Sequence, residues 1–324
     1  MQLSIEDLIF GTMFLTFADS LVTLVICVLI GVIGRISGIL NDDSDKILSN
    51  VLINIALPAT VLSSMLRPFS EELLMESVIT FAIMSIVFLC GWGLGTLMSY
   101  IMSANAKEKR IWQLALMFPN VIFMGFPMVQ IVFGDEGVPY AAMTTLAFSL
   151  IAFSLGVYII NADEKTANSR KLKIRNIFLT PAIVAMVVGF TFFLTSLRLP
   201  VPVERGVGLI GNMTSPLAML LIGSLLMKAV KENGVLALVS DWRVYPIVFM
   251  RLVIIPLVVF FAISPFTQNT TMLGVIVTLV AMPVATITII FAKQYNGDTT
   301  MALKTVVLSD ILCLLTIPLI SILL

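Results

Sequence analysis

The sequence predicts an all-α membrane protein that crosses the bilayer ten times. Three observations support this fold class. Hydrophobic residues make up 59% of the 324 residues and charged residues only 12%, about half the charged share of a soluble domain. The mean hydropathy of +1.08 would give a soluble chain an apolar surface. The chain also divides into ten apolar stretches, each about 20 residues long, which is the length a spanning helix needs.

These apolar stretches follow one another closely, and some are rich enough in Leu, Ile, Val and Phe to suit strands. Helices are favoured because open strands cannot cross lipid. The predicted spans are 14–36, 48–66, 77–101, 111–133, 139–160, 176–196, 205–229, 243–262, 271–292 and 299–323.

The Lys and Arg residues are distributed unevenly between the two sides of this arrangement. Alternate loops, with the adjoining span ends, hold 15 of them on one side and 3 on the other, and Arg251 lies within a span. Because loops rich in Lys and Arg stay in the cytoplasm, both termini are expected outside it. An even number of spans also places both termini on one side. We therefore expect a multi-pass protein of the inner (plasma) membrane.

Several function classes are disfavoured by the composition. The chain has no His, which removes His metal ligands and His-dependent catalysis, and it has no HExxH motif. Its three cysteines lie in apolar runs and do not indicate a disulfide framework. The 19 basic and 19 acidic residues balance, so nothing favours a nucleic-acid partner. We expect no enzyme, no metal and no cofactor.

The most polar segment lies at the centre of the chain and reads NADEKTANSRKLKIRN. Its composition predicts a flexible cytoplasmic linker at 161–175. The linker separates a first five-helix repeat, 1–160, from a second, 176–324.

The two halves resemble each other weakly. Pro119 and Pro283 are 164 residues apart, Asp135 and Asp298 are 163 apart, and Pro58 and Pro216 are 158 apart. Five helices per repeat is an odd number, so the second copy must enter the membrane from the opposite side. Such inverted repeats are typical of secondary transporters. An accidental likeness between two apolar sequences is the alternative.

The fourth and ninth spans are predicted to be broken. Pro119, Asn120, Gly125 and Pro127 fall within nine residues of the fourth span, enough to unwind a turn. The ninth span repeats the arrangement at Pro283, with Thr286 and Thr288 nearby. Unwound backbone at this depth is tolerated only where it faces protein or a water-filled cavity. The ends of broken helices attract ions, so two crossing breaks would form a substrate site. Two kinked packing helices are the alternative.

The same stretches resemble the auxin efflux carrier family, which includes bacterial malonate and malate permeases. The matching segments are NIALPATVL at 54–62, FPNVIFMGFP at 118–127, FGDEG at 133–137, SPLAMLLIGSLL at 215–226, RLVIIPL at 251–257 and FAKQYNGD at 291–298. The short central loop is similar to that of the bacterial members.

The resemblance implies ten helices in two inverted repeats and a homodimer. It implies a scaffold part made of helices 1, 2, 6 and 7 and a transport part made of helices 3–5 and 8–10. It also implies a crossover site at the two prolines and organic-anion substrates, in a bacterial inner membrane.

Three ionisable residues are predicted to lie within the membrane, where charges are costly. Arg251 and Asp310 lie about 12 and 16 Å from the cytoplasmic ends of their helices, which is close enough for a pair. That pair is either structural or part of substrate or ion coupling. Asp19 lies near the outer end of the first span, and is either interfacial or part of a cation or proton path.

The sequence therefore predicts a permease that moves a small organic anion, such as a dicarboxylate, by alternating access. H⁺ and Na⁺ are both candidate coupling ions, with Asp310 and Asp19 as candidate sites. A channel or membrane sensor on the same fold is the alternative. The predicted substrate-binding residues are Pro119, Asn120, Gly125, Pro283, Thr286 and Arg251.

Overall fold

The computed structural model describes residues 22–23, 25–66, 70–160, 181–234, 240–294 and 297–321. Within these ranges the protein is built from helices. In chain order they are α1 (Val25–Ile36), α2 (Asp42–Val51, Leu52–Ala56 and Leu57–Met65), α3 (Glu71–Ile101), α4 (Ala106–Met117), α5 (Val121–Ile160), α6 (Pro181–Thr195), α7 (Val201–Gly211), α8 (Thr214–Asn233), α9 (Val244–Phe249, Met250–Ile254 and Ile255–Ile263), α10 (Thr270–Val280), α11 (Ile287–Gln294) and α12 (Thr299–Ser321).

Six helical stretches among the described residues are long and apolar enough to cross a membrane, and shorter apolar helices accompany them. The six are Asp42–Ser63, Glu71–Ile101, Val121–Ile160, Val201–Glu232, Val244–Phe266 and Thr299–Ile320. The prediction of an all-helical protein suited to the bilayer is confirmed at this level.

The predicted spans can be followed through the described residues. The span 111–133 contains α4 and the start of α5, and the span 271–292 contains α10 and most of α11, each with a break between the two helices. The start of the first span, the linker 161–175 and residues 176–180 lie outside the described residues. The predicted fourth and fifth spans, 111–133 and 139–160, leave residues 134–138 between them. The backbone at Gly134 is non-helical, with φ 58° and ψ −152°, so α5 consists of two helices joined by a kink at that residue.

Three interior prolines are accommodated by a local widening of the helix. Pro58, Pro127 and Pro256 are each the second residue after a five-residue π-helical turn. In each case the N–H of the residue before the proline donates to the carbonyl five residues earlier, as that of Phe126 does to Val121. A proline ring clashes with the carbonyl four residues back, and the wider turn relieves that clash.

This finding corrects one prediction about the fourth span. Gly125 and Pro127 do not help to unwind the helix, because both lie in continuous helical backbone. The break is confined to residues 118–120, at Pro119.

Glycines set the distance between α3 and α4. A Cβ atom on Gly91 would lie 2.5 Å from the Leu116 carbonyl oxygen, and one on Gly95 would lie 2.7 Å from that of Trp112. The two backbones therefore approach more closely than any larger residue would permit. This contact fixes the end of α4 that leads into the break.

The other pair of matched prolines also marks a contact between the two halves. Close to Pro58, the Thr60 hydroxyl of α2 donates to the Gly211 carbonyl at 2.8 Å and lies 2.7 Å from the Thr214 hydroxyl. Gly211 and Thr214 flank the interruption between α7 and α8, just before Pro216. Thr60 is buried, and it contributes a hydroxyl to the helix end that the interruption exposes.

Candidate functional site

The two predicted breaks meet. The Asn120 N–H donates to the Pro283 carbonyl at 2.7 Å, and the Ala285 N–H donates to the Phe118 carbonyl at 3.0 Å. These two bonds enclose an antiparallel bridge between Pro119 and Val284. The backbone that each proline releases from helical pairing is thus paired with the other break. We call residues 118–120 and 281–286 together the crossover.

Four helix ends converge at the crossover. Helices α4 and α10 end there, so their unpaired carbonyls carry partial negative charge, while α5 and α11 begin there, so their first amides carry partial positive charge. Such a position is suited to an ion.

Asn120 is the polar side chain of the first break, and it is only 3% exposed. Its Oδ1 accepts from the Phe123 N–H at 3.3 Å and caps the start of α5. Its Nδ2 is buried and has no hydrogen-bond partner among the described residues. An unpaired buried donor is costly, and it is available to a ligand.

Arg251 lies at the crossover with 1% of its surface exposed. Its guanidinium donates from Nη1 to the Leu116 carbonyl at 3.0 Å, from Nη2 to that of Val280 at 2.6 Å, and from Nε to that of Met282 at 3.2 Å. A cation at two helix carboxyl ends is electrostatically favourable. Arg251 therefore fastens the ends of α4 and α10 to each other.

The suggested ion pair between Arg251 and Asp310 is wrong. The three described bonds of Arg251 go to backbone carbonyls, and one oxygen of Asp310, Oδ1, is buried without a hydrogen-bond partner among the described residues. Similar depth in the membrane suggested the pair. The unpaired carbonyls at the breaks are better placed to satisfy the planar, five-donor guanidinium.

The second break is stabilised by a side chain that the sequence did not reveal. Ser309 of α12 accepts from the Val284 N–H at 3.0 Å and donates to Val306 within its own helix. Thr286 ends this break and is partly buried. Thr288, in the first turn of α11, is fully buried, and its hydroxyl has no partner among the described residues. A single serine in an apolar helix carries no sequence signal of such a contact.

A cavity of about 390 Å³ adjoins the second break, between α8, α11 and α12. Thr286 and Asp310 contribute to its wall, and Lys228 and Glu232 of α8 contribute charged groups from the other side. The cavity thus brings together Asp310 and Thr286, two of the predicted residues. Among the described residues, no three His, Cys, Asp or Glu side chains cluster as metal ligands would.

The remaining predicted residues are placed as follows. Pro119 and Pro283 are buried in the crossover. Gly125 packs against α10, where a Cβ atom would lie 2.7 Å from Cδ2 of Leu279. Asp19 lies outside the described residues.

Two proline-broken helices that cross within an apolar helical protein are typical of membrane transporters. In agreement, the sequence pattern of the family described as membrane transport protein matches residues 16–321. The chain belongs to this family, and the resemblance to the auxin efflux carriers is confirmed.

Curated relatives extend over nearly the same length. An uncharacterized transporter of Methanocaldococcus jannaschii is 25% identical over 308 residues, which is 93% of this chain and 96% of the relative. An uncharacterized transporter of Methanothermobacter thermautotrophicus is 24% identical over 96% of this chain and 99% of its own length. The uncharacterized transporter YfdV of Escherichia coli is 21% identical over 94% of this chain and 96% of its own.

Proposed function

We propose that this protein is a secondary transporter that moves a small organic anion, such as a dicarboxylate, across the inner membrane by alternating access, with H⁺ or Na⁺ as coupling ion. The observation that carries the proposal is the buried, unpaired Nδ2 of Asn120 at the crossing of two broken helices. An anion there would receive this N–H donor and the amide ends of α5 and α11. Because the donors come from backbone and amide groups, desolvating them costs less than desolvating an ammonium group.

The proposed roles of the predicted residues differ in kind. Asn120 and Thr286 offer side-chain polar groups to the anion, while Pro119 and Pro283 create the breaks that expose the helix ends. Gly125 keeps α5 close to α10 at the crossover. Arg251 is a positioning residue, since its described donors are used on the carbonyls of α4 and α10.

The proposed topology has ten crossings in two inverted five-helix repeats, with both termini outside the cytoplasm. The capped starts of α4 and α10 support the repeat. Asn105 and Asn269 are the N-caps of these helices, and they are separated by the same 164 residues as Pro119 and Pro283. The family resemblance adds a homodimer in which α1, α2 and α6–α8 form the scaffold and the other helices carry the site.

Charged contacts are consistent with that division. Arg35, Asp42 and Lys228 form ion pairs within the scaffold helices, and Arg243 pairs with Glu108 at 2.7 Å within the transport helices. These pairs fasten each group internally.

Counterflow in proteoliposomes tests the proposal. The wild-type protein, loaded with unlabelled anion, should take up labelled anion from a panel of mono- and dicarboxylates that includes malonate and malate. Asn120→Asp keeps the oxygen that caps α5 but replaces the donor with a negative charge. We therefore expect it to remain folded and to lose counterflow by at least about tenfold, the effect of one lost charge-assisted contact.

Asn54→Ala is the matched control, because Asn54 is exposed on α2 and bonds only within its own helix among the described contacts. It should leave counterflow unchanged. Normal counterflow by Asn120→Asp would remove Asn120 from the site. A continuous current at fixed voltage, without counterflow, would instead identify a channel.

A further inference from the structure

The cavity beside the second break contains an unsatisfied carboxyl group. Asp310 contributes to its wall, and Oδ1 of this residue is buried without a hydrogen-bond partner among the described residues. Much of the surrounding wall is apolar, including Ile289, Leu303 and Val306. A carboxylate in such surroundings lacks the donors that normally stabilise its charge.

The cavity also leads from polar residues to the crossover. Glu232, whose side chain is 59% exposed, and Lys228, whose side chain is 29% exposed, lie at one side of it. Thr286, the last residue of the second break, lies in the wall as well. An anion in this cavity would therefore share its wall with Asp310.

Two cations on the described helices near Asp310 already have partners. Lys228 pairs with Asp42 at 2.9 Å, and Arg251 on α9 donates to three carbonyls. Five other titratable groups, on α12 itself and on two helices that pack against it, have described contacts of their own. On α12, Lys304 pairs with Asp241, and the Cys313 thiol contacts the backbone carbonyl of Asp310 and not its carboxyl. On α4, Glu108 pairs with Arg243, and Arg110 donates to the Ile160 carbonyl. On α8, Glu232 faces Lys228 at 3.8 Å.

We propose that Asp310 is the coupling site of the transporter, and that it binds one proton whenever the anion occupies the cavity. Two negative charges in a low-dielectric cavity repel strongly, so the anion enters only when the Asp310 carboxyl is neutral. The proton is taken up from the solution on the side where the anion enters and is released to the solution on the side where the anion leaves, so one proton crosses with each anion. This inference rests on the proposed transport function and selects H⁺ over Na⁺.

The surroundings of Asp310 favour a proton over a sodium ion. A metal cation needs several oxygen ligands, and the second carboxylate in the described cavity wall, Glu232, faces Lys228 at 3.8 Å. A proton needs a single oxygen, which the unpaired Oδ1 provides.

Malonate flux in proteoliposomes tests the inference, with the membrane potential held at zero by valinomycin and equal potassium. In wild-type protein, a gradient of one pH unit should drive about tenfold accumulation of malonate. One pH unit is a tenfold ratio of proton concentration, and one proton crosses with each anion. In the Asp310→Asn variant the side chain is neutral at every pH, as the protonated carboxyl would be. It should retain malonate exchange without a gradient and lose the gradient-driven accumulation. Glu232→Gln, the other carboxylate of the same cavity, should keep both activities.

The outcomes separate this inference from the proposed function. Wild-type exchange of malonate with no response to the pH gradient, or with a response to Na⁺ instead, would overturn the role of Asp310 and leave the transport function intact. Accumulation by Asp310→Asn equal to wild type would overturn it too, as would loss of exchange in a variant that is folded. If no anion of the panel exchanges in wild-type protein, the proposed function itself is wrong. Measuring wild-type proton uptake with a pH dye keeps the test decisive if Asp310→Asn does not fold.

Discussion

The two breaks of the crossover are stabilised in different ways. The first spans three residues, 118–120, and is closed by its own Asn120, which caps α5. The second spans six residues, 281–286, and depends on neighbours, because Ser309 of α12 bonds Val284 and Arg251 of α9 bonds Val280 and Met282. The first break therefore has a side-chain cap from its own sequence, while the side chains that stabilise the second come from other helices.

This difference indicates where each break is vulnerable. A change at Asn120 should affect the anion and the cap of one helix. A change at Arg251 or Ser309 should affect the second break through α9 or α12, without altering any residue of that break. The following predictions test this comparison in order of expected effect.

The largest effect on stability is expected for Arg251→Met. Removing the guanidinium leaves the carbonyls of Leu116, Val280 and Met282 without their described donor, and each buried unsatisfied group costs about 1–3 kcal/mol. We expect a loss of about 3 kcal/mol or more, seen as a large fall in the melting temperature of the purified protein in detergent. Arg251→Lys should recover only part, since an ammonium cannot span three carbonyls. A melting temperature equal to wild type would show that Arg251 does not hold the crossover.

The bonds of Arg251 also show what the sequence could not predict. Proline positions predict where helices break, because a missing N–H and a ring clash are local properties. The donor for Leu116 lies 135 residues further along the chain, and no residue near either partner announces it. The helical, apolar character of the chain and the breaks at the prolines of the crossover followed from local rules. The contacts of Arg251, the role of Ser309 and the π-helical turns that absorb Pro58 and Pro127 depend on tertiary packing.

Ser309→Ala should have an intermediate effect that is confined to the second break. The change removes the acceptor for the Val284 N–H, which is buried, at an expected cost of about 1–3 kcal/mol. Thermal unfolding should show the loss, and hydrogen exchange should show faster exchange at Val284 than at Asn120, whose N–H bonds Pro283. Equal acceleration at both amides would show that the breaks are not independently stabilised.

A smaller effect is expected for Gly125→Ala, which tests the contact between the two breaks. The added methyl group would lie 2.7 Å from Cδ2 of Leu279 and 3.1 Å from Cγ of Met282, both in flexible side chains. Because these side chains can move, we expect a loss near the low end of the overpacking range, about 1 kcal/mol. Gly206→Ala, with no atom within 4 Å of the added methyl group, is the control. A larger loss for the control would contradict close packing at Gly125.

The most direct test of the account is whether the two breaks touch. Opposite residues in an antiparallel bridge of this type lie about 4.5 Å apart between Cα atoms, within the range a disulfide spans. With the native cysteines replaced by alanine, Pro119→Cys combined with Val284→Cys should form a disulfide on mild oxidation, detected as a linked peptide by mass spectrometry. Pro119→Cys combined with Val258→Cys, whose position is 60% exposed on α9, should not. The predicted result is an efficient disulfide in the variant with Pro119→Cys and Val284→Cys, and none in the control variant. Free thiols in the first variant, if it is folded, would contradict the crossover.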